Sequence, residues 1–279
     1  MNHAKSLHSR VCINQICFSG APLAEFVGHA RALGSKRIGL LSPSLLAAGG
    51  REGVRAALAH GGPAVETINH PFAVYPSLDS NLEPARDLLL QLIDIAAEIG
   101  SRSIYLLTGG RGTLPWEEAA ARFVEAIVPC REEAAARGIC LMIENASVLY
   151  ADIHICHSLG DTLRLAEMAQ IGVCVELFHC WGEAGLEALL QRALPICSLV
   201  QVSDYVLGDR SLPNRAVPGD GAIPLKKIIA MLLDGGYSGA FDIELLGPRI
   251  DTEGHLVAAR RAAERLCAIL DEFGAADLV

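Results

Sequence analysis

The stretch LEPARDLLLQLIDIAAEIGSRSIYLLTG, residues 82–109, contains one complete structural unit of this chain. In its first part, residues 82–100, apolar side chains recur at helical spacing, and Gly100 stands where a helix is expected to stop. The run 103–109 that follows is short and rich in apolar residues, which is typical of a buried strand. Helix, glycine and strand in succession indicate an α/β fold.

The same alternation recurs along the chain. Candidate strands lie at 11–18, 37–42, 64–70, 103–109, 139–145, 173–180, 198–204 and 240–247, and the clearest helices at 82–100, 116–138 and 252–273. Eight strand-then-helix units without a Pro/Ser-rich linker predict a single (β/α)8 TIM barrel, one domain covering residues 1–279. A doubly wound open sheet is the alternative, but the first strand-to-helix turn lacks the GxGxxG pattern of that fold.

Composition narrows the class of protein. A net charge of -9 gives no basic stripe for nucleic acid or anionic lipid, so we expect neither as a partner. The nine cysteines are scattered through apolar runs without a CxxC pair, which favours reduced thiols. No run approaches the ~18–20 apolar residues of a membrane helix, and Asn14 and Gln15 interrupt the only N-terminal apolar segment. We expect a cytoplasmic protein.

TIM barrels carry their active sites at the carboxyl ends of the strands, so polar side chains there need an explanation. On predicted strands five to eight, alternation turns the branched residues toward the helices and leaves polar residues facing the barrel axis. The polar residues near the four strand ends are Glu144, Glu176, Gln201 and Glu244.

Three carboxylates in a partly dry cavity repel one another unless a cation lies between them. Their hard oxygen ligands suit one divalent ion, magnesium or manganese first, with zinc and cobalt as alternatives. A single strand-end Glu or Gln often only bonds loop backbone, but four on consecutive strands favour a metal site.

Histidines add candidates for acid–base chemistry. His179 follows Glu176 by three residues, and a neutral imidazole there suits proton transfer or a bond to a substrate hydroxyl, although a lone histidine is often structural. His154 and His157 in HICH precede the next helix, where they either belong to a loop over the site or decorate the helix N-terminus; the second interpretation is favoured, and their spacing is too weak a signal for a zinc site.

Five further residues are candidates for substrate binding. Asp204, Arg210 and Arg215 lie in the polar loop after strand seven, where the arginines suit a substrate oxygen but also an ordinary solvated loop. Alternation places His70 with Glu66 on one face of strand three, and Trp116 begins a helix where its ring suits the face of a sugar.

Five motifs follow the order of the predicted strands: INQICF at 13–18, IEN at 143–145, ELFHCW at 176–181, VQVSDYVLGDR at 200–210 and DIELLGP at 242–248. Together they resemble the xylose isomerase-like TIM-barrel superfamily of sugar phosphate isomerases and epimerases over nearly the whole chain. The resemblance implies that Glu144 and Glu244 are metal ligands that also flank the substrate as its acid/base pair. It also implies that Glu176 is a metal ligand at a position usually held by Asp. His179 then corresponds to the histidine that the family has three residues beyond that ligand. Members often form dimers, so a homodimer is expected.

Two departures bear on the reaction. Gln201 stands where sugar epimerases usually have His, a change shared with the dehydroshikimate dehydratase branch, and Glu176 is longer than Asp by one methylene. The site is expected to remove a proton next to a carbonyl, giving an enediolate. An isomerase or epimerase of a sugar-like ketose is the first interpretation, and a lyase on a keto-polyol or dehydroshikimate-like substrate the second. A non-catalytic ligand-binding barrel is the third, disfavoured by the intact carboxylates.

Overall fold

A computed structural model describes residues 6–59 and 61–278 of the chain. Eight parallel strands pair in chain order and close into a barrel, because β1 pairs with both β2 and β8. The strands are β1 Val11–Asn14, β2 Arg37–Leu41, β3 Ala64–Pro71, β4 Ser103–Leu107, β5 Cys140–Glu144, β6 Gly172–Glu176, β7 Cys197–Val202 and β8 Ala240–Ile243. The predicted (β/α)8 architecture is confirmed.

Helices follow the strands and cover the outside of the barrel. They are α1 Leu23–Leu33, α2 Ser42–Leu46, α3 Gly50–Leu58, α4 Glu83–Glu98, α5 Trp116–Ala136, α6 Leu159–Ala169, α7 Leu177–Cys180, α8 Leu186–Ala193, α9 Leu225–Asp234, α10 Pro248–Glu253 and α11 His255–Glu272. The helix predicted at 252–273 is thus divided at Gly254, whose φ of 93° lies outside the helical region.

Two hydrophobic layers stabilise the barrel. The larger lies between the strands and the helices, and a small inner cluster fills the barrel beneath the mouth. The inner cluster consists of Cys12, Tyr105, Met142, Cys174, Leu199 and Ala240. Because this cluster fills the interior, the polar residues one layer higher form the floor of the mouth.

The prediction that His70 shares a face of strand three with Glu66 is wrong. Between β2 and β3 the pairing steps from Ile38↔Val65 to Gly39↔Thr67, which leaves Glu66 as an extra residue. A bulge of this kind reverses the alternation beyond it. Asn69 therefore lines the mouth, while the buried His70 ring contacts Ser42 through Nδ1 at 2.9 Å.

The strand predicted at 173–180 is also too long. The strand β6 ends at Glu176, whose Oε1 accepts a hydrogen bond from the backbone N–H of Phe178 at 2.9 Å. This cap begins the single helical turn of α7, so His179 lies on a helix and its ring is turned back toward the mouth.

No helix in the described part of the chain is long and apolar enough to span a bilayer. The nine cysteines, all of them among the described residues, are thiols and form no disulfide bond with one another.

Candidate active site

The ends of strands β5 to β8 bring together the four polar residues singled out in the sequence. Glu144 and Glu176 are the last residues of their strands, and Glu244 directly follows β8. Gln201, one residue before the end of β7, donates a hydrogen bond from Nε2 to Oε2 of Glu244. The four side chains form one cluster at the mouth of the barrel.

One arginine reaches into this cluster from the loop after β7. The Arg215 guanidinium is buried and donates hydrogen bonds to Oε2 of Glu176 and, at 3.3 Å, to Oε1 of Glu244. It also donates to Ser203 at 3.0 Å and lies 4.4 Å from the centre of the Phe178 ring. These contacts fix the guanidinium as the cationic partner of two strand-end carboxylates.

The third carboxylate has no such partner. Across residues 6–59 and 61–278, no group donates a hydrogen bond to the Glu144 carboxylate. Burial, and then the charges of Glu244 and Glu176, raise its pKa well above the usual value. Burial also raises the pKa of Glu244 to about 8, although Arg215 acts in the opposite direction. One guanidinium therefore leaves this group of three carboxylates short of positive charge.

The donors fit a divalent cation. Glu144, Glu176 and His179 each present one ligand atom, and these atoms lie within 4.8 Å of one another. Burial and the neighbouring Arg215 hold the pKa of His179 well below its usual value, so the imidazole is neutral and able to coordinate. A divalent ion would also balance the charge, since three carboxylates oppose one guanidinium.

Gln201 is held with its amide nitrogen toward the mouth. Nε2 donates to the Tyr105 hydroxyl at 3.1 Å as well as to Glu244, whereas Oε1 accepts a hydrogen bond from the Cys174 thiol at 3.3 Å. In this orientation the amide is a hydrogen-bond donor to a carboxylate. Coordination through its oxygen, as predicted from the sequence, requires the amide to turn over, and that role stays a prediction.

Asp242 lies one layer below. Its Oδ2 accepts hydrogen bonds from Asn14 at 2.7 Å and from Gln201 at 3.4 Å. Burial raises the pKa of Asp242 to about 7, and the Asn14 bond only partly offsets this. The floor of the mouth is therefore polar, and among the described residues Oδ1 of Asp242 is buried without a hydrogen-bond partner.

A cavity of about 160 Å³ opens above the cluster. Its polar lining includes Glu144, Glu244, Arg215, His179, Asn69, Tyr105 and Tyr150, and its apolar lining includes Ile16, Leu41, Leu107, Ile153 and Leu246. Pockets for drug-sized ligands occupy about 300–1,000 Å³. This cavity is smaller and therefore suits one small molecule. Its mixed lining suits a molecule that has hydroxyl groups on one side and an apolar face on the other.

Asp204 organises the loop that carries Arg215. Its carboxylate accepts hydrogen bonds from four backbone N–H groups, those of Tyr205, Gly219, Gly221 and Ile223, at 2.8–3.0 Å. Its own backbone pairs with Ala216, next to Arg215. The structure gives Asp204 a loop-stabilising role in place of the predicted contact with substrate.

Three other predicted substrate-binding residues lie away from the cavity. Arg210 is exposed on the same loop, and His70 points away for the reason given above. Trp116 donates from its indole N–H to the Ile155 carbonyl at 2.9 Å, with the Arg164 guanidinium 4.4 Å from its ring centre. The aromatic wall is instead supplied by Tyr150, which contacts the His179 ring edge-on at 6.0 Å between centroids.

His154 lies in a loop beside the cavity and not at the helix N-terminus, where decoration was the favoured prediction, because α6 begins only at Leu159. It is fully buried and bonds the ends of two strands, Thr108 after β4 and Glu144 in β5. The available signal was a polar residue between two isoleucines in DIHIC, a position that becomes buried.

Residues 25–272 match the family model described as xylose isomerase-like TIM barrel. No curated protein matches the chain in sequence.

Solved structures share the fold. D-psicose 3-epimerase with D-tagatose from Clostridium cellulolyticum H10 is 16% identical, with 94% of this chain and 97% of that chain covered and a TM-score of 0.74. A xylose isomerase-like TIM barrel protein from Mycobacterium smegmatis in complex with magnesium is 17% identical, covers 98% and 99%, and has a TM-score of 0.72. The IOLI protein with a binding zinc atom is 14% identical, covers 95% and 99%, and has a TM-score of 0.76.

Proposed function

The chain belongs to the xylose isomerase-like TIM barrel family, and from that premise we propose that it is a divalent-metal-dependent isomerase or epimerase of a small, uncharged, sugar-like ketose or keto-polyol. The observation that carries the proposal is the surplus of buried carboxylates around one arginine. A barrel that only bound a neutral ligand would have no use for such a surplus, which costs stability.

Glu144, Glu176 and His179 would hold the metal. Two carboxylates and one imidazole suit magnesium, manganese or zinc, and similar folds with magnesium or zinc bound support this choice. When bound, the metal would polarise a carbonyl group and stabilise negative charge on its oxygen. The predicted participation of Gln201 and Glu244 as ligands remains part of the proposal.

Glu244 is the better placed proton acceptor. Hydrogen bonds from Gln201 and Arg215 stabilise its carboxylate form, while burial keeps its pKa near neutrality at about 8. A base of that strength suits proton abstraction beside a carbonyl. Glu144 is the second carboxylate that lines the cavity, and as the partner of Glu244 in an acid/base pair it would return the proton to the substrate.

The charges favour a neutral substrate. Arg215 is the lone arginine or lysine among the described cavity-lining residues, and Glu176 and Glu244 already engage it. His179 is neutral. Apart from the metal, which would engage the substrate carbonyl, a phosphate or carboxylate group would therefore meet no unengaged cation among the described cavity-lining residues, which counts against a dehydroshikimate-like acid.

A lyase acting on a neutral keto-polyol is the second candidate. It shares the first proton abstraction but then expels a β-hydroxyl group. Gln201 favours it, because the amide stands where sugar epimerases usually have His and, unlike an imidazole, cannot serve as an additional proton carrier.

Metal binding is the first test. The purified protein, stripped with chelator, is titrated with Mn²⁺ by calorimetry, in parallel with Glu144→Gln and Glu176→Gln. Exposed Glu187→Gln is the matched control. We expect about one equivalent bound by the parent and the control, and at least tenfold weaker binding by the two site variants. Absence of binding by the folded parent contradicts the proposal.

The reaction is tested with the metal-loaded protein and neutral ketoses in D₂O, followed by NMR. Deuterium at the carbon next to the carbonyl, with a new isomer, supports an isomerase or epimerase. Loss of water identifies the lyase. Absence of exchange with all ketoses and keto-polyols, despite bound metal, contradicts both activities.

A further inference from the structure

Side-chain hydrogen bonds to the backbone hold the end of β5 from both neighbouring strands. The Glu144 carboxylate itself accepts no hydrogen bond from the described residues, so its position depends on the backbone beneath it. On the β6 side that backbone is fixed by Asn145, whose amide bonds both the N–H and the C=O of Glu176 at 2.9 Å. The β4 side requires a separate connection.

His154 supplies that connection. The backbone N–H of Thr108 donates to Nδ1 at 3.0 Å, and Nε2 lies 2.8 Å from the carbonyl oxygen of Glu144. A backbone N–H can only donate and a carbonyl can only accept. The ring is therefore the neutral tautomer with its proton on Nε2, and both nitrogens are used to join two strand ends.

The surrounding loop follows from the same contacts. Ile155 N–H donates to the Thr108 hydroxyl at 3.1 Å, and the Gly109 N–H donates to the Ile153 carbonyl at 3.0 Å. Tyr150 and Ile153 of this loop line the cavity. His154 thus lies at the junction of the loop wall and the strand that ends in Glu144.

We propose that His154 is a positioning residue: its Nε2–H···O=C bond to Glu144 sets the direction in which the Glu144 carboxylate faces the metal. The inference rests on the proposed function, because it concerns the metal-bound form of the same site. Polar groups that orient a ligand commonly change metal affinity by about 10–100-fold when removed.

Two variants separate positioning from simple structural support. His154→Gln can place an amide N–H near the former Nε2 and keep the donor to Glu144, but it loses the acceptor for Thr108. His154→Asn can keep the acceptor for Thr108 and loses the donor to Glu144. Each variant removes one of the two bonds at the same buried position, so both are expected to lose stability.

Mn²⁺ affinity is measured by calorimetry on parent and variants, well below their melting temperatures, with folding checked by circular dichroism. We expect His154→Asn to bind about 10–100-fold more weakly than the parent, and His154→Gln to stay within about threefold. Equal weakening in both variants, or none in His154→Asn, overturns the positioning role while leaving metal binding intact. A parent that binds no Mn²⁺ overturns the proposed function, and this inference with it.

Discussion

The two ends of the barrel treat buried charge differently. At the amino-terminal end, the Arg37 guanidinium lies 2.7 Å from the Glu66 carboxylate, with both side chains less than a tenth exposed. At the carboxyl-terminal end, Glu144, Glu176 and Glu244 surround Arg215 alone. A paired charge needs nothing further, whereas a surplus of carboxylates calls for a ligand with positive charge. The difference separates structural from functional use of the same residue types.

Breaking the pair at the amino-terminal end gives the largest expected effect. Glu66→Gln leaves Arg37 buried without its close carboxylate, and we expect the free energy of unfolding to fall by about 3–5 kcal/mol. Urea denaturation followed by circular dichroism measures this. The double variant Arg37→Met, Glu66→Leu should recover most of the loss, and a cost below about 1 kcal/mol for Glu66→Gln would contradict the comparison.

His70 tests how the protein treats a buried group without a counter-charge. Burial lowers the pKa of its imidazole to about 4 from its usual value of about 6.5. Between these values the unfolded chain binds the extra proton, so folding stability falls as the pH drops from 7 to 4. The loss attributable to His70 is about 3 kcal/mol. Urea titrations of His70→Asn at both pH values should show a correspondingly smaller loss, and an unchanged pH dependence would contradict the assignment.

Removing a carboxyl group at the mouth should have the opposite sign. Without metal, Glu144→Gln replaces a group whose ionised form is disfavoured first by burial and then by the charges of Glu244 and Glu176, and it should stabilise the protein by about 1–2 kcal/mol. With Mn²⁺ at a hundred times its dissociation constant, the parent should gain about 2.7 kcal/mol and the variant almost none. Urea denaturation with and without Mn²⁺ measures both differences. If the metal-free variant were less stable than the parent, Glu144 would contribute to stability as Glu66 does, and the proposed difference between the two ends of the barrel would be contradicted.

Substitution of Arg210 is expected to give the smallest effect on stability and on Mn²⁺ affinity. This residue carries the same charge as Arg215 on the same loop, but it is exposed, and Arg215 is buried. We expect Arg210→Gln to change the free energy of unfolding by less than about 0.5 kcal/mol and Mn²⁺ affinity by less than twofold. Calorimetry and urea denaturation check this, and a larger change in affinity would extend the charge balance of the mouth into the exposed loop.

The sequence was sufficient for the fold because the signals involved are local. Strand and helix periods, with glycines such as Gly100 at the joints, predicted eight units in the observed order. Alternation also brought Glu144, Glu176, Gln201 and Glu244 to one face. It failed at His70, since a one-residue bulge at Glu66 depends on pairing with β2 and leaves no mark in the composition of the strand.

The remaining parts of the site depend on contacts between distant segments. Arg210 and Arg215 are equivalent in the sequence, and they are distinguished only by the backbone bonds that Asp204 accepts across the loop. His154 contacts Thr108 from 46 positions away. The shift of His179 onto a helical turn follows from a cap made by Glu176, a residue whose place in the sequence indicates only a metal ligand.

The carboxylate of Asp204 divides its loop into a fixed base and an outlying tip. The base is anchored at Ala216 and Gly219, whereas the tip is held through Asp209, whose carboxylate pairs with Arg249 and whose carbonyl accepts a hydrogen bond from Asn214 beside Arg215. Substitutions at the exposed positions 207, 208, 210 and 211 should therefore leave Arg215 in place, whereas a change of loop length that displaces Asp209 should not. The outer rim can vary in chemistry within a fixed loop length while the mouth keeps its charges.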